Sequence, residues 1–417
     1  MRQNATPHER SLAVHGGRPV REQPLPPRRL FTAEEKSAAV ALFDRAVETG
    51  NAFGYNGEEE QAFDREFAEW MGGGFADGVN SGTSALFAAL GALELEAGSE
   101  VVVPPISDPG GVMPVAMLNC IPVPVDAKPG TFNMSADAFE EAITDRTRAV
   151  VVAHIAGEPA EIDRIVEIAR RHDIRVIEDC AQAHGARYRG ELVGTFGDFA
   201  AFSTMSGKHI ATAAQGGVVY TRDEGLSWKA RRFADRGKPF NLPGGTNVVP
   251  GLNLNSNDLA AAVGRVQLRK LPAVVEARRR VATGVHAGIA DLPAVSGGAL
   301  LPTADPSYWF LRIHLEPEAL TVNRDEFARA VFAEGIVGME NYRFIPNEWD
   351  WFRRRADCPT PYLYREREDT SRVMHEAIAV TDREFTIACY ESWGRQEIDD
   401  IVAALRKVAT AYTKGRG

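Results

Sequence analysis

Apolar residues recur at the three- and four-residue spacing of an amphipathic helix in three stretches of the chain. In the first stretch Phe63, Phe67 and Trp70 share one face, and a run of glycines follows at residues 72–74. Glycine after the last apolar position favours the end of a helix. The pattern therefore predicts helices over residues 58–70, 84–96 and 397–412.

Two short apolar runs flank a fourth amphipathic stretch. Residues 149–153 and 174–177 have the length and composition of buried strands, and residues 162–171 between them have helical spacing. A connection of this kind joins parallel strands and is almost always right-handed. The chain is therefore predicted to be an α/β protein with a parallel sheet.

The sequence pattern divides the chain into three parts. Residues 1–30 are rich in proline and arginine, which is typical of an extended arm. Residues 31–275 contain the strand–helix–strand unit and form a predicted large domain. Residues 276–417, in which a strand at residues 307–315 precedes the last helix, form a predicted smaller α+β domain. We expect the boundary in the arginine-rich helix at residues 273–282.

Composition excludes several classes of protein. With 417 residues, 44% of them hydrophobic, the chain is long and apolar enough for a sizeable core. Its net charge of −10 and lack of a Lys/Arg run argue against nucleic acid as a partner. No apolar run approaches the roughly 20 residues of a membrane span, and no secretory signal is evident, so the expected location is the cytoplasm. The cysteines lack CxxC spacing, which favours reduced thiols and predicts no metal site; they are Cys120, Cys180, Cys358 and Cys389.

Lys208 has few charged neighbours in the sequence. Between residues 201 and 220 the only other ionisable side chains are His209 and Tyr220. A lysine among small and apolar residues is a candidate for a desolvated amine that forms Schiff bases with carbonyls. The alternative is a surface lysine in a loop of small residues.

Asp179 follows a predicted parallel strand directly and so lies at the carboxyl edge of the sheet, where α/β proteins bind ligands. Its carboxylate could pair with a protonated ring nitrogen, or it could cap the next helix. Glu178 should point to the opposite face. His154 ends the preceding strand at the same edge, either as a site residue or as a hydrogen-bonded core histidine.

A possible phosphate site lies at residues 80–84, NSGTS, which lead into the second predicted helix. Free N–H groups at a helix N-terminus bind anions, although ordinary capping explains the same residues. Ser203 offers a hydroxyl to the same anion. A phosphate cradle, a reactive amine and an acid for a pyridinium are together what a protein contributes to pyridoxal phosphate (PLP) chemistry.

Five ordered motifs extend this interpretation: VNSGTSAL (79–86), HIAGEPAEID (154–163), VIEDCAQAHGA (176–186), GDFAAFSTMSGKHIATAAQGG (197–217) and GLNLNSNDLAAAVGRVQL (251–268). Over residues 40–409 the chain resembles the DegT/StrS family of PLP-dependent sugar and cyclitol aminotransferases. The resemblance implies fold type I: a large domain with a mixed, mostly parallel sheet flanked by helices, and a smaller C-terminal α+β domain.

The resemblance also implies roles for individual residues. Lys208 would form the Schiff base with PLP and move the proton, and Asp179 would keep the ring nitrogen protonated. Gln182 would contact the ring face or the phenolate oxygen of the cofactor. Asn253 would reach the phosphate of a neighbouring subunit, which implies a homodimer with shared active sites. The implied cofactor-binding residues are Gly82, Thr83, Ser84, Asp108, Asp179, Gln182, Ser203, Lys208 and Asn253.

Some positions depart from the family pattern. Asp108 stands where an aromatic residue usually stacks on the cofactor, Asn255 replaces an arginine, Gln215 replaces a glutamate, and Arg236 replaces a histidine. These departures lie near the expected entry of the substrates. The candidate substrate residues are His154, His209, Arg236, Asn255, Tyr342 and Arg343. His209 is expected to pack beside the site or to share in proton transfer.

The predicted reaction transfers an amino group from L-glutamate or L-glutamine to a keto sugar or keto-cyclitol, in amino sugar or aminoglycoside-type biosynthesis. Lys208 favours this reaction, because family members that dehydrate sugars carry histidine in place of that lysine. Two alternatives stay open at this point. One is a PLP-dependent elimination or dehydration on a sugar, and the other is a catalytically silent PLP-binding regulatory protein.

Overall fold

The computed structural model describes residues 6–354 and 373–415. In chain order the strands are β1 (Phe75–Val79), β2 (Glu100–Val103), β3 (Ile121–Pro124), β4 (Thr147–Ala153), β5 (Arg175–Asp179), β6 (Arg187–Tyr188), β7 (Glu191–Leu192), β8 (Phe199–Ser203), β9 (Gly217–Thr221), β10 (Val295–Gly297), β11 (Ala304–Asp305), β12 (Phe310–Leu315), β13 (Gly338–Met339) and β14 (Glu384–Ala388). The α-helices are α1 (Pro7–Ser11), α2 (Ala33–Thr49), α3 (Glu58–Trp70), α4 (Gly82–Ala92), α5 (Met113–Met117), α6 (Ala136–Ala142), α7 (Ile162–Arg171), α8 (Glu224–Ala234), α9 (Asp258–Ile289), α10 (Arg324–Ala333), α11 (Asp350–Arg354), α12 (His375–Arg383) and α13 (Arg395–Tyr412).

The largest sheet has seven strands in the order β1-β9-β8-β5-β4-β2-β3. The five strands from β8 to β3 run parallel, whereas β9 is antiparallel to both of its neighbours. β2 and β4 are rich in buried valine, and β5 contains a buried valine and a buried isoleucine, as expected for parallel strands covered on both faces. The predicted strand–helix–strand unit is confirmed as β4, α7 and β5, with β4 parallel to β5.

Sequence pattern located the helices better than it located their ends. α3 has the predicted bounds. α4 begins before the predicted start at Ser84, because the Ser81 hydroxyl accepts the Ser84 N–H at 3.0 Å and so caps the helix. It ends at Ala92 rather than near residue 96, and Glu94 then takes a positive φ of 53°.

The C-terminal part has its own sheet and core. β10, β12, β14 and β13 form an antiparallel sheet, and Phe327, Phe385 and Leu405 are buried in the cluster beside it. Leu12 and Leu25 are buried in the same cluster, so the N-terminal arm packs on the C-terminal part. The arm contains α1 and a 3-10 turn at Ala13–His15. α9 runs unbroken through residues 275 and 276, and the three-part division of the chain stays a prediction.

The described thiols are free and buried: they belong to Cys120, Cys180 and Cys389, whereas Cys358 lies outside the described residues. Within residues 6–354 and 373–415, no helix has the length and apolar character needed to cross a bilayer.

Candidate active site

A polar cavity of about 270 Å³ opens at the carboxyl ends of β5 and β8. This volume is slightly below the range that is usual for small-molecule sites, roughly 300–1,000 Å³. An apolar cavity of about 700 Å³ beside α4 and α8 is larger, but none of the predicted site residues lines it. We therefore place the site in the polar cavity, whose lining includes the predicted residues Gly82, Thr83, Asp108, Asp179, Gln182, Ser203 and Lys208.

Lys208 is buried in the loop between β8 and β9. Its Nζ lies 3.8 Å from the centre of the Trp309 ring. Burial lowers the pKa of Lys208 to about 8, although the carboxylates of Asp179 and Asp108 act in the opposite direction. Near neutral pH a larger fraction of this amine is neutral than of an ordinary lysine, and the neutral amine is the form that attacks a carbonyl carbon.

Asp179 is the last residue of β5, and its carboxylate lines the cavity. Oδ1 accepts the N–H of Ala181 at 3.0 Å. Burial raises the pKa of Asp179, and the Ala181 hydrogen bond and the charge of Lys208 oppose this rise. A protonated ring nitrogen bound beside this carboxylate would hold it ionised.

The side chains of Glu178 and His154 lie beside each other. Because side chains alternate along a strand, Glu178 is on the opposite face of β5 from Asp179. His154 Nε2 is 3.1 Å from the Glu178 carboxylate, and Nδ1 accepts the N–H of Ala160 at 3.0 Å. His154 is therefore a hydrogen-bonded core histidine, and the structure does not bring it to the cavity. Cys180 lies close enough to complete a metal-binding trio, but both His154 nitrogens and the Glu178 carboxylate already have protein partners.

The N-terminus of α4 lies tightly against the end of β8. A Cβ atom on Gly82 would lie 2.7 Å from the Ser203 Cβ, so this approach requires glycine. The free N–H groups of the first turn and the Ser203 hydroxyl therefore lie together, which suits an anion. Ser84 takes another role: its hydroxyl donates to Asn80 at 2.6 Å, and it is not part of the cavity lining.

Gln182 is held in place by two hydrogen bonds. Its Nε2 donates to the Tyr342 hydroxyl at 2.7 Å, and its Oε1 accepts the N–H of Ala156 at 2.8 Å. Tyr342 is buried behind Gln182, and burial raises its pKa. The structure thus connects Tyr342 to the cavity through Gln182. Asp108 lines the cavity directly, and its Oδ1 accepts the N–H of Gly110 at 2.9 Å.

Asn253, Asn255 and Arg236 lie together outside the cavity. The Asn255 amide donates to Asn253 at 2.7 Å and to the Asp235 carboxylate at 3.0 Å. Arg236 donates to the same carboxylate and to the Tyr55 hydroxyl. Asn253 is exposed to solvent in this chain.

The structure does not bring Arg343 or His209 to the cavity. Arg343 forms a two-point ion pair with Glu348 and a further one with Asp382. His209 is fully buried, and its Nε2 lies 3.1 Å from the carbonyl oxygen of Ser307.

Sequence reasoning missed Trp309, Ser107 and Gly111. Trp309 lies about a hundred residues beyond Lys208 in the chain, and nothing in its local pattern indicates the contact. Ser107 and Gly111 line the cavity. A Cβ atom on Gly111 would lie 2.3 Å from the Ser107 hydroxyl and 3.1 Å from the Asp179 carboxylate. The paired glycines after β2 were a signal for this close approach, but not for what they approach.

Comparison with known proteins identifies the family. Residues 34–406 match the profile of the DegT/DnrJ/EryC1/StrS aminotransferase family. The chain belongs to this family. It is 35% identical to the L-glutamine:2-deoxy-scyllo-inosose aminotransferase of Micromonospora echinospora, over 80% of this chain and 82% of that relative. It is 33% identical to a dTDP-4-dehydro-2,6-dideoxy-D-glucose 3-dehydratase of Saccharopolyspora spinosa, over 88% and 83% of the two chains. The solved aminotransferase of Psychrobacter cryohalolentis superposes with a TM-score of 0.82 at 27% identity, covering 92% of this chain and 98% of the other.

The family, the fold class and the aminotransferase activity predicted from the sequence are thereby confirmed. DegT-family aminotransferases use PLP, and the cavity residues fit the parts of that cofactor. The buried amine of Lys208 suits its aldehyde, and the Asp179 carboxylate suits its ring nitrogen. The tight glycine junction between α4 and Ser203 suits its phosphate.

Proposed function

We propose that this aminotransferase moves an amino group from L-glutamate or L-glutamine to a keto sugar or keto-cyclitol, in amino sugar or aminoglycoside-type biosynthesis. One observation carries the proposal: a buried lysine amine with a pKa lowered to about 8 shares a cavity with Asp179. The M. echinospora relative, whose name gives L-glutamine and a keto-cyclitol as substrates, supports the choice of donor and acceptor.

The residues of the cavity divide the work. PLP bound here supplies an aldehyde that condenses with amines and a ring that withdraws electrons. Lys208 would hold the aldehyde of the cofactor, and its free amine would act as the base and acid that moves the proton of the donor's α-carbon. Asp179 would accept a hydrogen bond from the ring N–H. Gly82, Thr83 and Ser203 would bind the phosphate, and Gln182, which Tyr342 holds in place, would contact the ring.

Two readouts test this function. Protein loaded with PLP and mixed with L-glutamine or L-glutamate should lose the visible band of the lysine-bound cofactor and release one keto acid per subunit. Adding 2-deoxy-scyllo-inosose should restore the band and give repeated turnover. A band that survives both donors would support a silent PLP-binding protein and overturn the proposal. Loss of water from a keto sugar without net consumption of donor would instead support dehydration, the reaction in the name of the S. spinosa relative.

We further propose that the enzyme is a homodimer in which Asn253 enters the site of the second copy. An exposed asparagine outside its own chain's cavity supports this arrangement, as does its apolar neighbour Leu252, a residue that is 54% exposed. Arg236 and Asn255, on the same surface, would then also lie close to the partner's substrate.

The dimer predicts a solution mass of twice the chain mass of 45.4 kDa by light scattering. Leu252→Asp places a charge in the proposed interface, so it should shift the protein toward monomer and weaken PLP binding by at least about tenfold. Phe75→Asp, at another exposed apolar position, serves as the control. The proposal would be contradicted by a wild-type protein that is monomeric in solution and binds PLP no more tightly than the Leu252→Asp variant does.

A further inference from the structure

The N-terminal arm reaches the loop that carries Lys208. Arg28 donates from Nη2 to the carbonyl oxygen of His209 at 2.7 Å and from Nη1 to that of Ser206 at 3.3 Å. One guanidinium therefore holds the backbone on both sides of Lys208. The arm is fixed close by, because the Trp393 indole N–H and the Ser392 hydroxyl donate to the carbonyl oxygens of Pro26 and Pro27, each at 3.1 Å.

Glu391 joins Arg28 to a second arginine. One carboxylate oxygen accepts from Arg28 Nε at 2.6 Å, and the other accepts from Arg278 Nε at 3.0 Å and Nη2 at 2.9 Å. The three side chains are at most 13% exposed. In such a site charged hydrogen bonds are strong, and their loss leaves an unpaired charge.

Arg278 holds the segment of chain that packs against the side chain of Lys208. Its Nη1 donates to the carbonyl oxygens of Tyr308 and Trp309 at 3.0 and 3.1 Å. Tyr308 has a φ of 50°, a left-handed conformation that is strained for a bulky residue and persists only where its surroundings enforce it. The Trp309 indole in turn donates to the Gly207 carbonyl oxygen at 2.8 Å, and its ring lies over the Lys208 amine.

From this geometry we infer that Arg28 is a positioning residue for Lys208. Glu391 couples Arg28 to Arg278, and Arg278 holds the backbone of Trp309, whose ring lies over the Lys208 amine. Arg28 thus holds the backbone on either side of Lys208, and Arg278 holds the residue whose ring lies over the amine. The side chains of Arg28, Glu391 and Arg278 do not line the cavity. The inference rests on the proposed role of Lys208. Precise placement matters here, because a displacement of about 1 Å at a reacting group can cost roughly 100-fold in rate.

Amide hydrogen exchange on the protein without PLP tests the inference independently of any reaction. Arg28→Met should raise the exchange rate of amides at residues 206–212 at least about tenfold, under conditions where the core strands stay protected. The matched control is Arg29→Met, because Arg29 is exposed and has no ion pair among the residues that the structure describes. Equal exchange in this loop for the two variants would overturn the inference.

Arg28→Lys separates positioning from charge. Lysine keeps the ion pair with Glu391 but cannot span two carbonyl oxygens and a carboxylate at once. We expect the lysine variant to resemble Arg28→Met in loop exchange. Full rescue by lysine would overturn the inference, since it would show that only the charge beside Glu391 matters.

The donor half-reaction supplies a second readout. In Arg28→Met the limiting rate with L-glutamine should fall about 10- to 100-fold, while the half-saturating donor concentration changes less than about threefold, because the donor itself does not touch Arg28. The inference would be overturned if Arg28→Met changed only the half-saturating donor concentration and left the limiting rate at its wild-type value. If the wild-type enzyme fails with both donors, the proposed function fails, and the exchange measurement still decides the role of Arg28.

Discussion

Replacing Lys208 with alanine should abolish covalent capture of PLP and slow amino transfer by at least about 1,000-fold. The variant loses both the nucleophile that binds the aldehyde and the base that moves the proton, and proton transfer alone is worth roughly 10²- to 10⁴-fold. Phosphate binding at the start of α4 should persist, because Gly82 and Ser203 are unchanged. The measurement is the visible absorption of the variant with PLP, followed by the rate of the donor half-reaction.

The rate at which the wild-type enzyme captures PLP should depend on pH. Only the neutral amine attacks the aldehyde, and burial lowers the pKa of Lys208 to about 8. The rate of PLP capture should therefore rise with pH and level off above about 8, whereas an ordinary lysine would continue to rise toward about 10.4. Lys229→Ala, at a half-exposed lysine paired with Glu94, is the control and should behave like the wild type. A visible band that forms equally in Lys208→Ala would show that another amine holds the cofactor.

Local pattern predicted the parts of the fold that depend on local physics. The apolar face of α3 and the glycines after it set both ends of that helix. The strand–helix–strand unit placed Asp179 at the carboxyl edge of the sheet, and alternation along β5 separated it from Glu178. These features need only helical or strand periodicity and the handedness of one connection.

Contacts between distant residues could not be read in the same way. Nothing near Trp309 indicates that its ring lies over Lys208, and nothing near Arg28 indicates that it holds the Lys208 loop. Tyr342 was a candidate for contact with substrate, but its hydroxyl is used by Gln182, 160 positions earlier in the chain. Each of these contacts depends on how the N-terminal arm or the C-terminal part packs against the large domain, which periodicity does not encode.

The histidines show how partners decide a role. His154 follows the strand that pairs with the strand of Asp179, and His209 follows Lys208 in the chain. The sequence left a chemical role open for both histidines. His154 uses each ring nitrogen in a hydrogen bond within the protein. The neighbouring strand end of His154 and the sequence position of His209 next to Lys208 therefore did not translate into access to the cavity.

The second large effect concerns stability and falls on Arg312, a fully buried residue of β12. Its guanidinium makes a two-point ion pair with Glu384, at 2.8 and 2.9 Å, and a third bond to Glu158 at 2.7 Å. It also donates to the Gly130 carbonyl oxygen at 2.7 Å and lies 4.3 Å from the centre of the Phe132 ring. Arg312 thus ties the C-terminal sheet to the loops that follow β3 and β4.

Arg312→Met should lower the free energy of unfolding at pH 8 by about 3–5 kcal/mol, because it takes the guanidinium from the buried carboxylates of Glu158 and Glu384, of which Glu384 keeps His314 Nδ1 at 3.2 Å. Burial already raises the pKa of Glu158, and Arg312 opposes that rise. In the variant the folded state therefore binds a proton more readily than the unfolded state, so lowering the pH to 5 should restore part of the loss. Urea unfolding at both pH values measures this. Arg395→Met, at an 88%-exposed side chain paired with Asp399, should change stability by less than about 0.5 kcal/mol. A loss for Arg312→Met that is equally small, or that is identical at both pH values, would show that Arg312 does not neutralise the buried carboxylates.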